Sequence, residues 1–525
     1  MGEALGCGGQ VSDEHLKAVE EALLPIYRTL PKLSNGRLER RSLRYLAHRY
    51  FNQQFAIVVR GFEPSRPVTD EAGWGSAEIL SQLIPGYVES VLGSKHATEK
   101  GFDLGDAAYM VATLEQLIFD AENHLLEKVY QEQKKPMHRA MSDHGLQQVL
   151  EAYMVHWMMG DDAEGIQLLL GNQSLLTSSF PHWSQLVDFA AGRVKTLDYE
   201  RQQSPAAAAD RGHAFSRRYS FQDAHAVVGG ITKSFASFWE SECVDMNVLL
   251  TGMDPKHTGR VPLSKFYGTG LDSEWRFGES ESYLRQLGAL DESSSTKQVI
   301  IPNYIQSASN CIVTTSHYMV CCANDCDPIL ADVEAAIGKP TAQPEQLLSL
   351  VGNMTSLTSL EDESPVQISA ALAAQLEAIA GANGGQVPLH GRLFQQWLHY
   401  VFPRQCPFPH KTGTVASISP LQFGGNYIAS MAEMQAHASM ADNSSNLTAT
   451  IDKEDTQWMS QWSEEEELIA DYQDINQKNS SSSSSFVTAG FVLLALAAVA
   501  GIVGVNRKSP KSEFLLPSYG KSHLV

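Results

Sequence analysis

Positive charge is scarce in this chain. Its 525 residues include 39 Lys and Arg against 60 Asp and Glu, which gives a formal net charge of −21 at pH 7. Proteins that hold nucleic acid need a basic surface, because most of their contacts are made to phosphate groups. We therefore expect no nucleic-acid partner. A surplus of acidic residues also keeps a globular domain soluble, and this is the simpler reason for the charge.

The sequence also lacks the short motifs of common enzymes. It contains no G-x-S-x-G nucleophile elbow, no H-E-x-x-H zinc motif, no Walker A loop and no G-x-G-x-x-G after a strand. Each motif supplies a defined part of a mechanism, such as an exposed nucleophile or a phosphate cradle. Their absence argues against a familiar hydrolase, zinc protease or nucleotide-dependent enzyme, and leaves an unfamiliar enzyme open.

Charge is missing altogether from residues 486–505, which read FVTAGFVLLALAAVAGIVGV. A helix of this length measures about 30 Å, the thickness of the hydrocarbon core of a bilayer. Six serines, 480–485, precede the run, and Arg507 and Lys508 come just after it. The run is predicted to be a single transmembrane helix that ends in a short tail, 506–525.

The orientation of the chain follows from charge and from glycosylation sequons. Basic residues stay on the cytoplasmic side, so the tail is predicted to be cytosolic and the bulk of the chain to lie outside, as in a type I protein. About two sequons are expected by chance, but the chain has five, at Asn172, Asn353, Asn443, Asn446 and Asn479.

The start of the chain leaves an alternative to this orientation. Residues 1–30 lack the basic start and the apolar stretch of a signal peptide. Either a leader has been lost, or the protein is tail-anchored and faces the cytosol.

Cysteine usage bears on the same choice. Six of the seven cysteines fall in one part of the chain, whereas Cys7 stands apart; the six are Cys243, Cys311, Cys321, Cys322, Cys326 and Cys406. An even cluster suits three disulfides in an oxidising compartment, and sequence alone does not separate the fifteen possible pairings. The alternative is that all six are reduced and buried as small apolar residues.

Helical periodicity dominates the N-terminal half, where apolar residues recur at spacings of three and four, as at Val111, Leu114 and Ile118. The predicted fold class is mainly α-helical, a multi-unit globular ectodomain with one C-terminal transmembrane helix. The predicted divisions are a helical unit 1–198, a linker 199–218, a cysteine-containing helical unit 219–424 and a polar stalk 425–485 with a short helix around 458–472.

One loop resembles a known calcium-binding motif. Residues 253–267, MDPKHTGRVPLSKFY, resemble an EF-hand loop within a helix-loop-helix at 240–268. Asp254 matches the first ligand position, Gly259 the sharp turn and Val261 the apolar position after it. Similar cores recur at 35–38 and 384–388, and residues 299–302 are expected to pair with 260–263 as the short strands of paired EF-hands do.

The ligand positions of this loop are degenerate. Thr258 stands at the fifth position, and Lys265 replaces the bidentate Glu that should close the shell at the twelfth. A second lysine at position three adds to the repulsion of a divalent cation. No calcium is expected at this loop, and no other cofactor is predicted.

Two further groups of residues are candidates for chemistry. Imidazoles at short spacing can bind zinc or copper, and such a set is offered by His390, His399 and His410 with Cys406 as a fourth ligand. Arg44 and His48 repeat the Arg-x-x-x-His spacing of the distal helix of haem peroxidases. A haem would also need an axial ligand, for which the candidates are His124, His144, His156, His213 and His225.

The function that we expect is a single-pass, membrane-anchored surface glycoprotein that binds another protein or a surface ligand. The first alternative is a metal- or haem-dependent oxidoreductase that uses the histidines above. The second is a tail-anchored cytosolic scaffold with calcium-independent, EF-hand-like packing.

Overall fold

The computed structural model describes residues 12–64, 79, 101–160, 162–180, 182–203, 218–268, 277–294, 296–354, 368–444, 459 and 461–470. Within these residues the protein is mainly α-helical, as the periodicity predicted. No described helix is both long and apolar enough to cross a membrane. Outside the described residues lie the predicted transmembrane helix 486–505, the tail 506–525, Cys7, His213, and the sequons Asn446 and Asn479.

The long α-helices lie mostly in the first half of the described chain, and the shorter ones mostly in the second. The described α-helices are α1 (Asp13–Thr29), α2 (Arg40–Phe55), α3 (Leu104–Glu132), α4 (Asp143–Met159), α5 (Ala163–Gly171), α6 (Gln173–Ser179), α7 (Trp183–Gln203), α8 (Phe221–Gly252), α9 (Leu263–Gly268), α10 (Glu281–Gln286), α11 (Ile301–Ile305), α12 (Cys326–Ile337), α13 (Pro344–Gly352), α14 (Ala370–Ala382), α15 (Arg392–Val401), α16 (Pro420–Phe423) and α17 (Met431–Ser444).

The described strands are two or three residues long. They are β1 (Ile57–Val59), β2 (Met141–Ser142), β3 (Arg218–Tyr219), β4 (Arg260–Pro262), β5 (Leu290–Asp291), β6 (Gln298–Ile300), β7 (Val313–Thr314), β8 (Tyr318–Val320), β9 (Thr341–Ala342) and β10 (Val387–Pro388). All pair antiparallel, in the orders β1-β8-β7, β4-β6-β5, β2-β3 and β9-β10.

Four antiparallel pairings share one local order, in which each paired segment leads within a few residues into a helix. They are the bridge Leu38–Phe102 and the ladders β2–β3, β4–β6 and β9–β10. The helices that follow the paired segments are α2, α3, α4, α8, α9, α11, α13 and α15. The described residues therefore contain paired segments that each lead into a helix, an arrangement that resembles the paired loops of EF-hands.

The pairing expected for residues 260–263 is confirmed. Val261 of β4 lies opposite Val299 of β6, and Arg260 lies opposite Ile300. The two other cores that the sequence singled out lead into pairings of the same kind: residues 35–38 end in the Leu38 bridge, and residues 384–388 end in β10.

Most buried apolar side chains of the described residues belong to one large core and two smaller ones. The large core is built from α1 to α4, α7 and the first half of α8. The smaller cores lie in the C-terminal half, one around α12 to α15 and the other around the end of α8, α9 and α11. Three disulfides join elements of this half, as the cysteine count predicted; they are Cys243–Cys322, Cys311–Cys321 and Cys326–Cys406.

The bounds of two predicted divisions differ from the structure. Of the predicted linker 199–218, residues 199–203 belong to α7 and 218 begins β3, whereas residues 204–217 lie outside the described residues. Part of the predicted stalk packs on the body, because α17 lies against α9 and residues 461–470 lie against α15. Residues 461–470, called the C-terminal strap below, are extended and do not form the helix predicted there.

The strap is extended because the body satisfies its backbone groups. Arg392 donates to the Glu465 carbonyl oxygen at 2.9 Å, and its own backbone N–H donates to the Glu467 carbonyl oxygen at 3.0 Å. The Gln396 side-chain amide exchanges hydrogen bonds with the backbone of Ser463. With partners of this kind the strap needs no helical hydrogen bonds of its own.

Candidate functional site

A cavity of about 390 Å³ lies where the two halves of the described chain meet. Its walls come from α2, α12, the segments before and after α15, and the strap. It contains members of both groups of candidate residues, because Arg44 and His48 line it together with His390 and His410. Nothing in the sequence indicated that these groups would meet, since they lie more than 300 residues apart.

Helix α2 supplies the basic wall of the cavity. Arg41, Arg44 and His48 are spaced three and four apart, so they share one face of the helix, and all three line the cavity. Burial lowers the pKa of His48 to about 4, and the positive charges of Arg49 and Arg44 add to the effect. His48 is therefore a neutral imidazole at pH 7.

Arg49, also on α2, is the centre of a buried ion cluster beside the cavity. Its Nε lies 3.3 Å from Asp327 Oδ1, and its Nη1 and Nη2 lie 3.2 and 3.4 Å from the two carboxylate oxygens of Glu334. The Tyr45 hydroxyl accepts a further hydrogen bond from Nη1 at 3.0 Å. Burial raises the pKa of Asp327 and of Glu334, although Arg49 opposes the shift in both.

His390 closes this cluster from the segment between β10 and α15. His390 Nε2 lies 3.0 Å from the Thr29 hydroxyl and 3.5 Å from Glu334 Oε1. His390 Nδ1 is buried without a hydrogen-bond partner among the described residues. Asp327 Oδ2 is likewise buried without a hydrogen-bond partner among the described residues. Burial lowers the pKa of His390 to about 3, so the ring is neutral.

The metal site predicted from His390, His399, His410 and Cys406 does not form. Cys406 is bonded to Cys326 and has no thiolate to offer. His399 Nδ1 donates to the Cys406 carbonyl oxygen at 2.7 Å, and His410 Nε2 donates to the Gly288 carbonyl oxygen at 2.7 Å. Across the described ranges no group of three His, Cys, Asp or Glu side chains is placed to hold a metal ion.

Among the described residues, the haem hypothesis also lacks the axial histidine that was predicted for it. The described candidates for an axial histidine, His124, His144, His156 and His225, do not line the cavity that holds Arg44 and His48. Two of them have other partners, because His144 contacts Gln148 and His156 contacts Glu132.

In the EF-hand-like loop, the carboxylate of Asp254 is paired with an arginine. Asp254 is buried, and its carboxylate accepts from Thr258 N and Oγ1, both at 3.1 Å, and from Gly259 N at 2.8 Å. Its fourth partner is Arg404 Nε at 3.2 Å. Arg404 also donates to the backbone carbonyl oxygens of Thr251 and Asp254. A guanidinium from the segment after α15 thus supplies the positive charge that calcium supplies in a functional loop.

Gly259 is required at this loop for two reasons. Its φ of +67° lies in the left-handed region, and a Cβ built on it would meet the Pro403 carbonyl oxygen at 1.9 Å. Lys265, at the position of the missing bidentate Glu, donates from Nζ to the Met253 carbonyl oxygen at 3.3 Å. No sequence pattern pointed to Arg404, which lies 150 residues from Asp254.

Three of the predicted sequons fall on described backbone. Asn172 and Asn353 are exposed, which glycosylation requires. Asn172 is also the N-cap of α6, where its side-chain oxygen accepts from Leu175 N at 3.1 Å. Asn443 lies near the end of α17.

Comparison of this chain with protein-family models, with curated proteins and with solved structures finds no match.

Proposed function

We propose that the protein is a single-pass, membrane-anchored surface glycoprotein that binds a small molecule in the cavity between α2 and α12. The observation that supports binding is the cavity itself, which combines apolar walls with buried polar atoms that lack partners. Ligand sites are typically concave and mostly apolar, with a few polar groups that fix orientation. Asp327 Oδ2 and His390 Nδ1 are groups of this kind.

The helix-loop-helix units serve this function as a rigid, calcium-independent frame. In the loop most like a calcium site, Arg404 already neutralises Asp254. Both α2 and α12 line the cavity, and Arg49 of α2 joins them through Asp327 and Glu334. The metal- or haem-dependent alternative gains no support from the geometry of the described histidines.

The membrane and the compartment are proposed from the sequence. Residues 486–505 supply the anchor, Arg507 and Lys508 favour a cytosolic tail, and the sequons favour an outside position for the bulk. Three disulfides suit an oxidising compartment.

Binding is tested by asking what the purified full-length protein carries. We expect denaturation to release a bound small molecule that mass spectrometry detects. Ala416 lines the cavity and is half-buried, so Ala416→Leu should fill part of it and lower the occupancy at least tenfold. Ala335→Leu makes the same change at an exposed position of α12 and should leave the occupancy unchanged. A wild type that carries no bound molecule and binds no added small molecule would contradict the proposal.

The topology is tested on intact cells. A glycosidase should lower the apparent mass, and added protease should release the chain on the N-terminal side of the membrane helix. A tail-anchored protein would resist both treatments. In that case the six clustered cysteines would also react with a thiol reagent after unfolding without reductant, and the cytosolic scaffold would replace the surface glycoprotein.

A further inference from the structure

The cavity wall formed by α2 is basic in a chain that is strongly acidic. Arg41, Arg44 and His48 line the cavity, whereas the chain as a whole has a net charge of −21. Arg44 is buried and donates to the Gly61 carbonyl oxygen. Arg41 is exposed at the cavity and has no hydrogen-bond or ion-pair partner among the described residues. One guanidinium of this wall therefore remains available to a ligand.

The start of α2 adds to the positive potential at this end of the cavity. Its first turn contains Arg40 and Arg41 and no acidic residue, and the N-cap residue Glu39 makes no side-chain capping hydrogen bond. The N-terminus of a helix carries a partial positive charge, so basic residues there are disfavoured unless an anion is nearby. By contrast, α1 and α3 begin with acidic residues in the first turn and with a side-chain cap.

The acidic residues of the cavity do not neutralise Arg41. Glu63 accepts from Gly61 N at 2.7 Å, and Glu467 of the strap accepts from Thr412 N at 2.9 Å and from its hydroxyl at 3.0 Å. The carboxylate of Asp327 lies against Arg49, but its Oδ2 has no partner among the described residues.

The available guanidinium of Arg41 and the unpartnered Oδ2 of Asp327 lie apart along the cavity wall, because Asp327 contacts Arg49. Arg44 and Arg41 precede Arg49 by five and eight residues, which corresponds to about 7.5 and 12 Å along the helix. A ligand that satisfies both groups must carry an anionic group at one end and a hydrogen-bond donor at the other, several ångströms apart. Neither a simple anion nor a simple amine does both.

We propose that the ligand of this cavity is a small organic carboxylate that also carries an amine or a hydroxyl group. The carboxylate lies against Arg41 and Arg44 at the start of α2, and the amine or hydroxyl donates to Asp327. This assignment rests on the proposed binding function and specifies its ligand class.

The test uses three five-carbon probes of equal length on the full-length protein in detergent. They are 5-aminopentanoate, which has both end groups, pentanoate, which has only the carboxylate, and pentylamine, which has only the amine. Isothermal titration should show the tightest binding for 5-aminopentanoate, at least fivefold weaker binding for pentanoate and none for pentylamine. Tighter binding of pentylamine than of pentanoate would overturn the assignment of an anion.

Two adjacent arginines provide a matched pair of variants. Arg41→Gln removes the available guanidinium and should weaken 5-aminopentanoate binding about tenfold. Arg40→Gln makes the same change in the same helical turn, but Arg40 does not line the cavity, and affinity should stay within twofold of the wild type. Equal losses in the two variants would show a general charge effect and would overturn the proposal.

The ligand-class assignment and the binding function fail in different ways. If a small molecule co-purifies with the wild type and proves to be a cation or a neutral compound, the assignment is wrong and the binding function stands. If nothing co-purifies and none of the three probes binds, both are wrong.

Discussion

The two halves of the described chain are stabilised in different ways. In the N-terminal half, α1, α2, α3, α4 and α7 are 16 to 29 residues long, share one large core and carry no described disulfide. In the C-terminal half, no helix from α9 to α17 exceeds 14 residues, the apolar residues are divided between two smaller cores, and three disulfides are present.

The difference shows how the same type of unit can be stabilised by different means. A long helix presents a wide apolar face, so two long helices that pack together bury enough apolar area to stabilise the loop that connects them. Short helices that are divided between smaller cores bury less apolar area per helix-loop-helix unit. A disulfide compensates by lowering the entropy of the unfolded chain, an effect that grows with the length of the closed loop.

Removal of all three disulfides should produce the largest difference in stability between the two halves. With all six paired cysteines replaced by alanine, we expect the C-terminal half to lose protection against hydrogen exchange, as measured by mass spectrometry. Helices α3 and α4 should keep theirs, because no disulfide supports them. Equal loss of protection in both halves would show that the disulfides stabilise the molecule as a whole.

The cost in stability of losing a single disulfide should increase with the length of the loop that the disulfide closes. Cys326–Cys406 spans 80 residues and Cys311–Cys321 spans 10. Loss of the first should cost about 4.5 kcal/mol and loss of the second about 2.7 kcal/mol, because the entropy term depends on the logarithm of loop length. Urea denaturation of the two double-alanine variants measures this order.

Arg49→Met should have the next largest effect, because Arg49 of the N-terminal half is buried against two carboxylates of the C-terminal half. The loss leaves Asp327 and Glu334 as uncompensated buried charges, and we expect a cost of about 3 to 5 kcal/mol. Urea denaturation measures the cost. Adding Glu334→Gln to the variant should recover part of it, whereas no recovery would argue that packing and not charge is responsible.

Sequence predicted the features of this fold that depend on local pattern. The helices follow from apolar spacing, and the β4–β6 pairing follows from two similar segments that each precede a helix. The number of disulfides followed from an even cysteine count, although their connectivity did not. The extended strap was missed, because its acidic run from 464 to 467 is compatible with a helix and its partners lie on α15.

The candidate site was predicted only in fragments. The spacing of Arg44 and His48 suggested a haem site, and the clustering of His390 and His410 suggested a metal site. The described residues assemble neither site. Arg49 meets Glu334 across 285 residues. An arginine can pair with any of the many acidic residues in this chain, so no local signal selects the partner; only the packing of α2 against α12 does.

Asp254→Ala should give a moderate effect. The degenerate loop alone suggests that this carboxylate has no role, since it has no ion to hold. The structure gives it four hydrogen bonds, one of them from Arg404, and these donors would be left unsatisfied. We expect a loss of about 2 kcal/mol in urea denaturation. Lys265→Ala is the control, because its Nζ makes one exposed bond, and it should cost less than about 0.5 kcal/mol.

Calcium should produce the smallest effect, a change in Tm of less than about one degree at millimolar concentration. Binding stabilises a protein by RT ln(1 + [L]/Kd), so an absent site contributes nothing. A calcium ion would have to displace Arg404, whose position is restrained by the disulfide of Cys406, two residues further along the chain. It would also find only one carboxylate, where a functional loop offers several.

Arg404→Gln separates these two obstacles. We expect this variant to be less stable than the wild type and still insensitive to calcium, because the loop lacks ligands. A rise of several degrees in the variant alone would show that the guanidinium is what excludes the ion, and a rise in the wild type would contradict the calcium-independent frame.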